Sequence, residues 1–212
     1  MTAAALSLLA LVSALITIRA EYKERRRQVY VFKPLTVVLV ILIALQTKFA
    51  ATSPLYRQLV VAGLLCSLAG DVFLMLPRER FVAGLACFLA AHVCYIAAFA
   101  AGVGARQFSA WGAGVFALYG ALMLRLLWPR LGKLKAPVTV YVAAILLMAW
   151  QALNRWMTAG DAGSAVALAG ALLFVASDSA LAWNRFRAEF KSAQAVVLGT
   201  YFAAQLLIAL ST

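Results

Sequence analysis

The sequence predicts an all-α polytopic membrane protein with eight transmembrane helices, and three observations carry that prediction. Hydrophobic residues fill 66% of the 212 positions and charged residues only 12%, with a mean hydropathy of +0.94. A water-soluble domain of this length carries roughly twice that charge. Apolar runs close to the ~20 residues needed to cross a bilayer core recur along the whole chain. Finally, the basic residues gather between alternate runs, as they do in loops held on the cytoplasmic side.

Taken in order, the predicted spans are 3–19, 33–47, 58–76, 81–101, 108–128, 137–157, 164–184 and 191–211. The first has no positive charge ahead of it, whereas Arg19, Lys23, Arg25, Arg26 and Arg27 follow it. That is the pattern of a retained span and not of a cleaved leader. The second is short and opens on Lys33-Pro34, with proline where a first helical turn accepts it. The remaining spans are joined by short connections, which makes neighbouring helices antiparallel. Together they form one transmembrane domain over 1–212, and length gives no reason to seek another.

Charge sets the orientation. Of the 19 Lys and Arg, all but Lys48, Arg57, Arg106 and Arg155 fall in the odd-numbered connections. Those connections are therefore expected in the cytoplasm, with both termini on the other side, in what reads as a bacterial inner membrane. The pI near 10.2 then reflects loops facing anionic lipid, and no nucleic-acid partner is expected. Cys66, Cys87 and Cys94 all lie within apolar runs and read as reduced packing thiols.

Two acids break the apolar pattern. Asp71 lies in Gly63-Leu-Leu-Cys-Ser67-Leu-Ala-Gly70-Asp71-Val-Phe-Leu74, and Asp178 in Gly170-Ala-Leu-Leu-Phe-Val-Ala-Ser177-Asp178-Ser179-Ala-Leu181. Each has a glycine eight residues earlier, a small residue directly before it and a leucine three residues later. A charge at membrane depth costs about 2.5–3.5 kcal/mol on insertion scales, so such residues are functional by default. Both helices run toward the cytoplasmic side, and each acid lies about one and a half turns before the predicted helix end. The four-helix offset suggests a repeat, spans 1–4 against 5–8.

Several polar residues could serve these acids. Ser67 shares the Asp71 face of its helix, and Ser177 flanks Asp178. His92 and Tyr95 sit one turn apart in the fourth span; His92 could bridge helices or orient a carboxylate. Lys33 is either a snorkelling anchor or, beside Pro34 at a cytoplasmic mouth, a phosphate ligand. Gln151, Asn154 and Gln205 read as helix-packing residues, and Trp111, Trp128 and Trp183 as interface anchors. No metal is expected, because a single His and no close Cys pair supply too few zinc ligands; a site on Asp71, Asp178 and His92 is the remaining metal alternative. There is no P-loop, nucleophile elbow or dinucleotide fingerprint.

The readings left open are a facing acid pair in a wet pocket, one acid protonated and one ionised, or hydrogen-bonded structural acids, or a proton-coupled or small-solute transporter.

Lys33-Pro34, Gly70-Asp71 with Phe73-Leu74, Phe81-x-x-Gly84-Leu85-x-x-Phe88-x-x-x-His92-x-x-Tyr95, Gly170-Ala171-x-Leu173-Phe174-x-x-Ser177-Asp178-Ser179 and Tyr201-x-x-x-Gln205 resemble the YhhN-type lysoplasmalogenase family from the second span to the last. The resemblance implies an eight-helix membrane hydrolase that needs no cofactor and cleaves the vinyl ether of a lysophospholipid. The products would be a fatty aldehyde and glycerophosphoethanolamine or glycerophosphocholine. It implies Asp71 and Asp178 as the catalytic pair, with Lys33, Ser67, His92, Tyr95, Ser177 and Tyr201 in support. The chemistry suits two unequal acids: protonation of the β-carbon gives an oxocarbenium ion, which a carboxylate stabilises and water captures. Which aspartate does which is open at this level.

Overall fold

A computed structural model describes residues 2–47, 53–76, 80–101 and 109–212. Among them, eight helices are long and apolar enough to cross a membrane: α1 (Ala3–Tyr22), α2 (Arg26–Gln46), α3 (Pro54–Met75), α4 (Phe81–Ala100), α5 (Ala110–Leu127), α6 (Lys135–Ala159), α7 (Ala162–Phe186) and α8 (Ala193–Leu210). The described part is helical throughout apart from turns, as expected of an integral membrane protein, where backbone polar groups must bond within their own segment. Lys48, Arg78 and Arg106 lie outside the described residues.

Local chemistry sets several ends. Ser53 caps α3 by accepting from the Tyr56 N–H, with Pro54 in the first turn. Asp161 caps α7 through Ser164 N–H at 2.6 Å. α6 stops at Gly160, whose φ of +63° is the left-handed conformation that glycine adopts without strain. Two short 3₁₀ turns, Trp128–Arg130 and Gly132–Leu134, join α5 to α6.

The main departure from the expected spans is α2. It begins at Arg26, two turns before Lys33, so Lys33-Pro34 lies inside the helix and not at its mouth. Arginines in a first turn can remain at the membrane surface while the helix continues inward. Near Pro34, the hydroxyls of Ser13 and Thr36 both donate to the Phe32 carbonyl. The Ser13 contact ties α1 to α2 close to Pro34, which has no N–H to donate.

The closest helix pairings are α3 with α4, α7 with α8 and α1 with α2, while α4 crosses α6 and α2 packs on α8. α5 is peripheral: it leans on α6 and weakly on α7, and only Gly112, Gly120 and Leu127 are buried along it. Glycine permits the close pairings of the two acid-bearing helices. A Cβ on Gly63 would lie 2.3 Å from the Tyr95 ring of α4, and one on Gly170 would lie 3.0 Å from the Ala204 carbonyl of α8.

Candidate active site

Asp71 of α3 and Asp178 of α7 line the same cavity, of about 660 Å³. Lys33, Tyr141 and Tyr201 line it with them. Its walls include Met123 of α5, Val142 and Leu146 of α6 and Leu198 of α8. Glu21, Phe81, Arg185 and Gln194 also line it. One end therefore lies where α1 and α7 finish and α4 and α8 begin. Arg185 stacks its guanidinium over Phe81 there, 3.9 Å from the ring centre.

Asp71 is 2% exposed, and both its oxygens are engaged. Lys33 Nζ of α2 lies 3.1 Å from Oδ1, and the Tyr201 hydroxyl of α8 donates to Oδ2 at 2.5 Å. Behind it, Gln205 Nε2 donates to the Tyr201 oxygen at 3.1 Å, and the Tyr95 hydroxyl donates to Gln205 Oε1 at 2.8 Å. A cation on one oxygen and a hydroxyl on the other are the partners of an ionised carboxylate. Lys33 is thus neither a surface anchor nor a phosphate ligand at a mouth. The pair is buried because α2 starts earlier than the charge pattern suggests.

Asp178 is more open, with its side chain 16% exposed. The Tyr141 hydroxyl of α6 donates to Oδ2 at 2.5 Å, and His92 Nε2 of α4 lies 3.0 Å from the Tyr141 oxygen. The tyrosine hydrogen is already committed, so Nε2 carries the hydrogen of this contact. Nδ1 of the same ring is buried without a hydrogen-bond partner among the described residues. In this arrangement Nε2 is the donor to the Tyr141 oxygen. Asp178 Oδ1 takes no hydrogen bond among the described residues.

Aromatic rings fill the space between the two networks. Phe174, fully buried, meets the rings of His92 at 4.9 Å, Tyr201 at 5.6 Å and Tyr95 at 6.4 Å. The edge-to-face contacts with His92 and Tyr201 are the favoured geometry for such rings.

Most of the expected residues converge here, in different capacities. Lys33, His92, Tyr95 and Tyr201 join the two networks. Ser67 is buried one turn before Asp71 but does not bond its carboxylate. Ser177 donates to the Val197 carbonyl of α8, a helix-packing contact. Gln205, expected only to pack helices, stands behind Tyr201, whereas Asn154 does pack, accepting from the backbone and hydroxyl of Ser109. Tyr141 was not singled out by the sequence, and neither was Tyr119, whose hydroxyl meets Ser179 at 2.7 Å. The available signal for Tyr141 was a phenol about one turn inside an apolar run. Among the described residues no three His, Cys, Asp or Glu side chains are grouped to hold a metal, so the alternative site on Asp71, Asp178 and His92 lacks its geometry.

A sequence profile described as the YhhN family matches residues 28–212. The "Uncharacterized membrane protein YhhN" of Escherichia coli O157:H7 is 33% identical over 198 residues, covering 92% of each chain. Lysoplasmalogenase TMEM86B of Homo sapiens is 37% identical over 163 residues, 74% of this chain and 64% of that protein. Lysoplasmalogenase TMEM86A of Bos taurus is 35% identical over 168 residues, 77% of this chain and 68% of that one. No solved structure matches the chain. On the profile match and the near full-length bacterial relative, the chain belongs to the YhhN family.

Proposed function

We propose that this protein is a membrane-embedded hydrolase that cleaves the vinyl ether bond of lysoplasmalogen by acid–base catalysis at Asp71 and Asp178. The observation that carries the reading is that these two acids, from separate halves of the chain, line one cavity in unlike settings. The mammalian relatives are named lysoplasmalogenases, which supports lysoplasmalogen as the substrate.

The reaction needs an acid near the β-carbon, an anion near the oxocarbenium ion and a base for water. Protonation makes a C–H bond from the alkene electrons and leaves the cation on the ether carbon. Water then adds there and gives up a proton, forming a hemiacetal. Its collapse breaks the C–O bond to glycerol, which takes a proton, and releases the fatty aldehyde with glycerophosphoethanolamine or glycerophosphocholine. Two aspartates with different partners can serve each step. In this arrangement the chain lies among the apolar walls of α5, α6 and α7, and the headgroup lies at the rim near Arg185.

The test is aldehyde release by purified protein from lysoplasmalogen, with an acyl lysolipid as control. Asp178→Asn is expected to lower turnover about 10²–10⁴-fold, the usual span for lost acid–base catalysis. For Asp71 the neutral pair Lys33→Gln/Asp71→Asn is the better variant, because Asp71→Asn alone strands a buried cation. Near-normal turnover in a folded variant removes that acid from the mechanism. Fatty-acid release from the acyl lipid alone overturns the bond, and proton flux in liposomes without hydrolysis returns the transport reading.

A further inference from the structure

We propose that Tyr141, held by His92, is the positioning residue that makes Asp178 the proton donor of the pair. The inference rests on the hydrolase reading and assigns the roles that reading leaves open.

The two acids share a construction. Each accepts a tyrosine hydroxyl at Oδ2, and each tyrosine oxygen accepts a nitrogen-borne hydrogen from behind: Gln205 Nε2 to Tyr201, His92 Nε2 to Tyr141. They differ at the other oxygen. Lys33 occupies Asp71 Oδ1, and no described residue bonds Asp178 Oδ1. With Oδ2 accepting from a phenol that has no other use for its hydrogen, a proton on Asp178 resides on Oδ1. Asp178 is also the more open of the two, 16% against 2% exposed.

The steps then balance. Asp178 Oδ1–H gives its proton to the β-carbon and becomes a carboxylate beside the new cation, steadied by the Tyr141 hydroxyl. Water attacks the cation, and its proton passes to Asp71, whose oxygens keep lone pairs beyond those used by Lys33 and Tyr201. When the hemiacetal collapses, the hydroxyl hydrogen returns to Asp178. The proton on Asp71 goes to the departing glycerol oxygen, so both acids end as they began.

Tyr141 is 8% exposed and buried against His92, which is fully enclosed, and their rings meet edge to face at 5.1 Å. Removing the hydroxyl frees the Asp178 carboxyl to turn while leaving the apolar wall in place. The expected signature is in the chemical step and not in binding.

The experiment compares Tyr141→Phe, His92→Gln and His92→Leu in purified protein turning over lysoplasmalogen. Tyr141→Phe is expected to lower kcat about 10- to 100-fold, below the full cost of losing an acid, with KM within about twofold. His92→Gln, which keeps a donor, stays within about threefold of the parent kcat, and His92→Leu falls to the level of Tyr141→Phe. The roles are read with azide, a nucleophile that needs no base. Azide restores consumption of the vinyl ether at least about fivefold in Lys33→Gln/Asp71→Asn and not in Asp178→Asn. Unchanged kcat in Tyr141→Phe, an effect confined to KM or to thermal stability, equal loss in both His92 variants, or azide rescue that is reversed or missing overturns the inference. If Asp178→Asn is inactive while Tyr141→Phe is normal, the inference falls and the hydrolase reading stands. If the parent protein releases no aldehyde, both fall.

Discussion

At Asp71 a lysine and a tyrosine divide one carboxylate between them, and removing each has a different consequence. Lys33→Met leaves the acid buried beside an apolar chain, a loss expected to cost about 3–5 kcal/mol. The prediction is a clearly lower apparent Tm in detergent for Lys33→Met and partial recovery in Lys33→Met/Asp71→Asn, where no charge is left alone. Tyr201→Phe removes a single hydrogen bond to an ionised group, about 1.5–3 kcal/mol, and leaves Gln205 Nε2 without its acceptor. It is expected to lower Tm less than Lys33→Met does. Equal melting of all three variants would contradict the ion pair. The acids themselves were legible in the sequence, because a carboxylate in an apolar run stands out. Lys33 was legible as a candidate but not as the partner of Asp71: counting apolar residues starts α2 at the last charge, whereas long cationic side chains in the first turns can reach the surface and let the helix begin earlier. Tyr141 had a different difficulty, and Tyr201 entered only through the family resemblance. A phenol passes as apolar in a hydropathy pattern, and only the rotation of its helix decides whether its hydroxyl reaches lipid, water or a carboxylate.

Between helices, the motif around each acid has a packing reason. The glycine eight residues before each aspartate is where α3 closes on Tyr95 of α4 and α7 closes on the backbone of α8. Gly170→Leu has to push α8 away, since the nearest atoms include the Ala204 carbonyl and the Ile208 N–H nitrogen. Loss of monodisperse protein on gel filtration is expected, while Gly114→Leu, with open space at its Cβ position, leaves the profile unchanged. Phe174→Ala is expected to cost about 3–5 kcal/mol and to slow turnover, because its ring braces His92 and Tyr201 alike. Asp71 takes its partners from α2 and α8, and Asp178 from α6 and α4. The partner helices pair under a four-helix offset, but the tyrosine donors do not, since Tyr201 is on α8 and Tyr141 on α6. The spacing around each acid was legible in the sequence; the partners were not, because they come from helices with no shared pattern.

For the whole molecule, the number and order of spans follow from hydropathy alone, since each crossing needs a run of fixed length. The cavity does not follow, because it depends on how the helices are arranged. We propose the orientation that the basic residues favour, with the α1–α2, α5–α6 and α7–α8 connections in the cytoplasm. Single cysteines at Glu24, Gly132 and Ala188 are expected to be shielded from an impermeant thiol reagent in intact cells and labelled after lysis; labelling in intact cells would reverse the orientation. Chelator is expected to leave aldehyde release unchanged, given the absence of a three-ligand group among the described residues. The Lys33–Asp71 pair also bears on biogenesis. Lys33 leaves the ribosome well before Asp71, so the nascent second helix reaches the translocon carrying a cation with no counter-ion. Releasing it into lipid alone costs about 2.5–3.5 kcal/mol, whereas α2 and α3 delivered together pair Lys33 with Asp71. Entry of α2 and α3 into the bilayer as one hairpin is therefore expected to be favoured over entry of α2 alone.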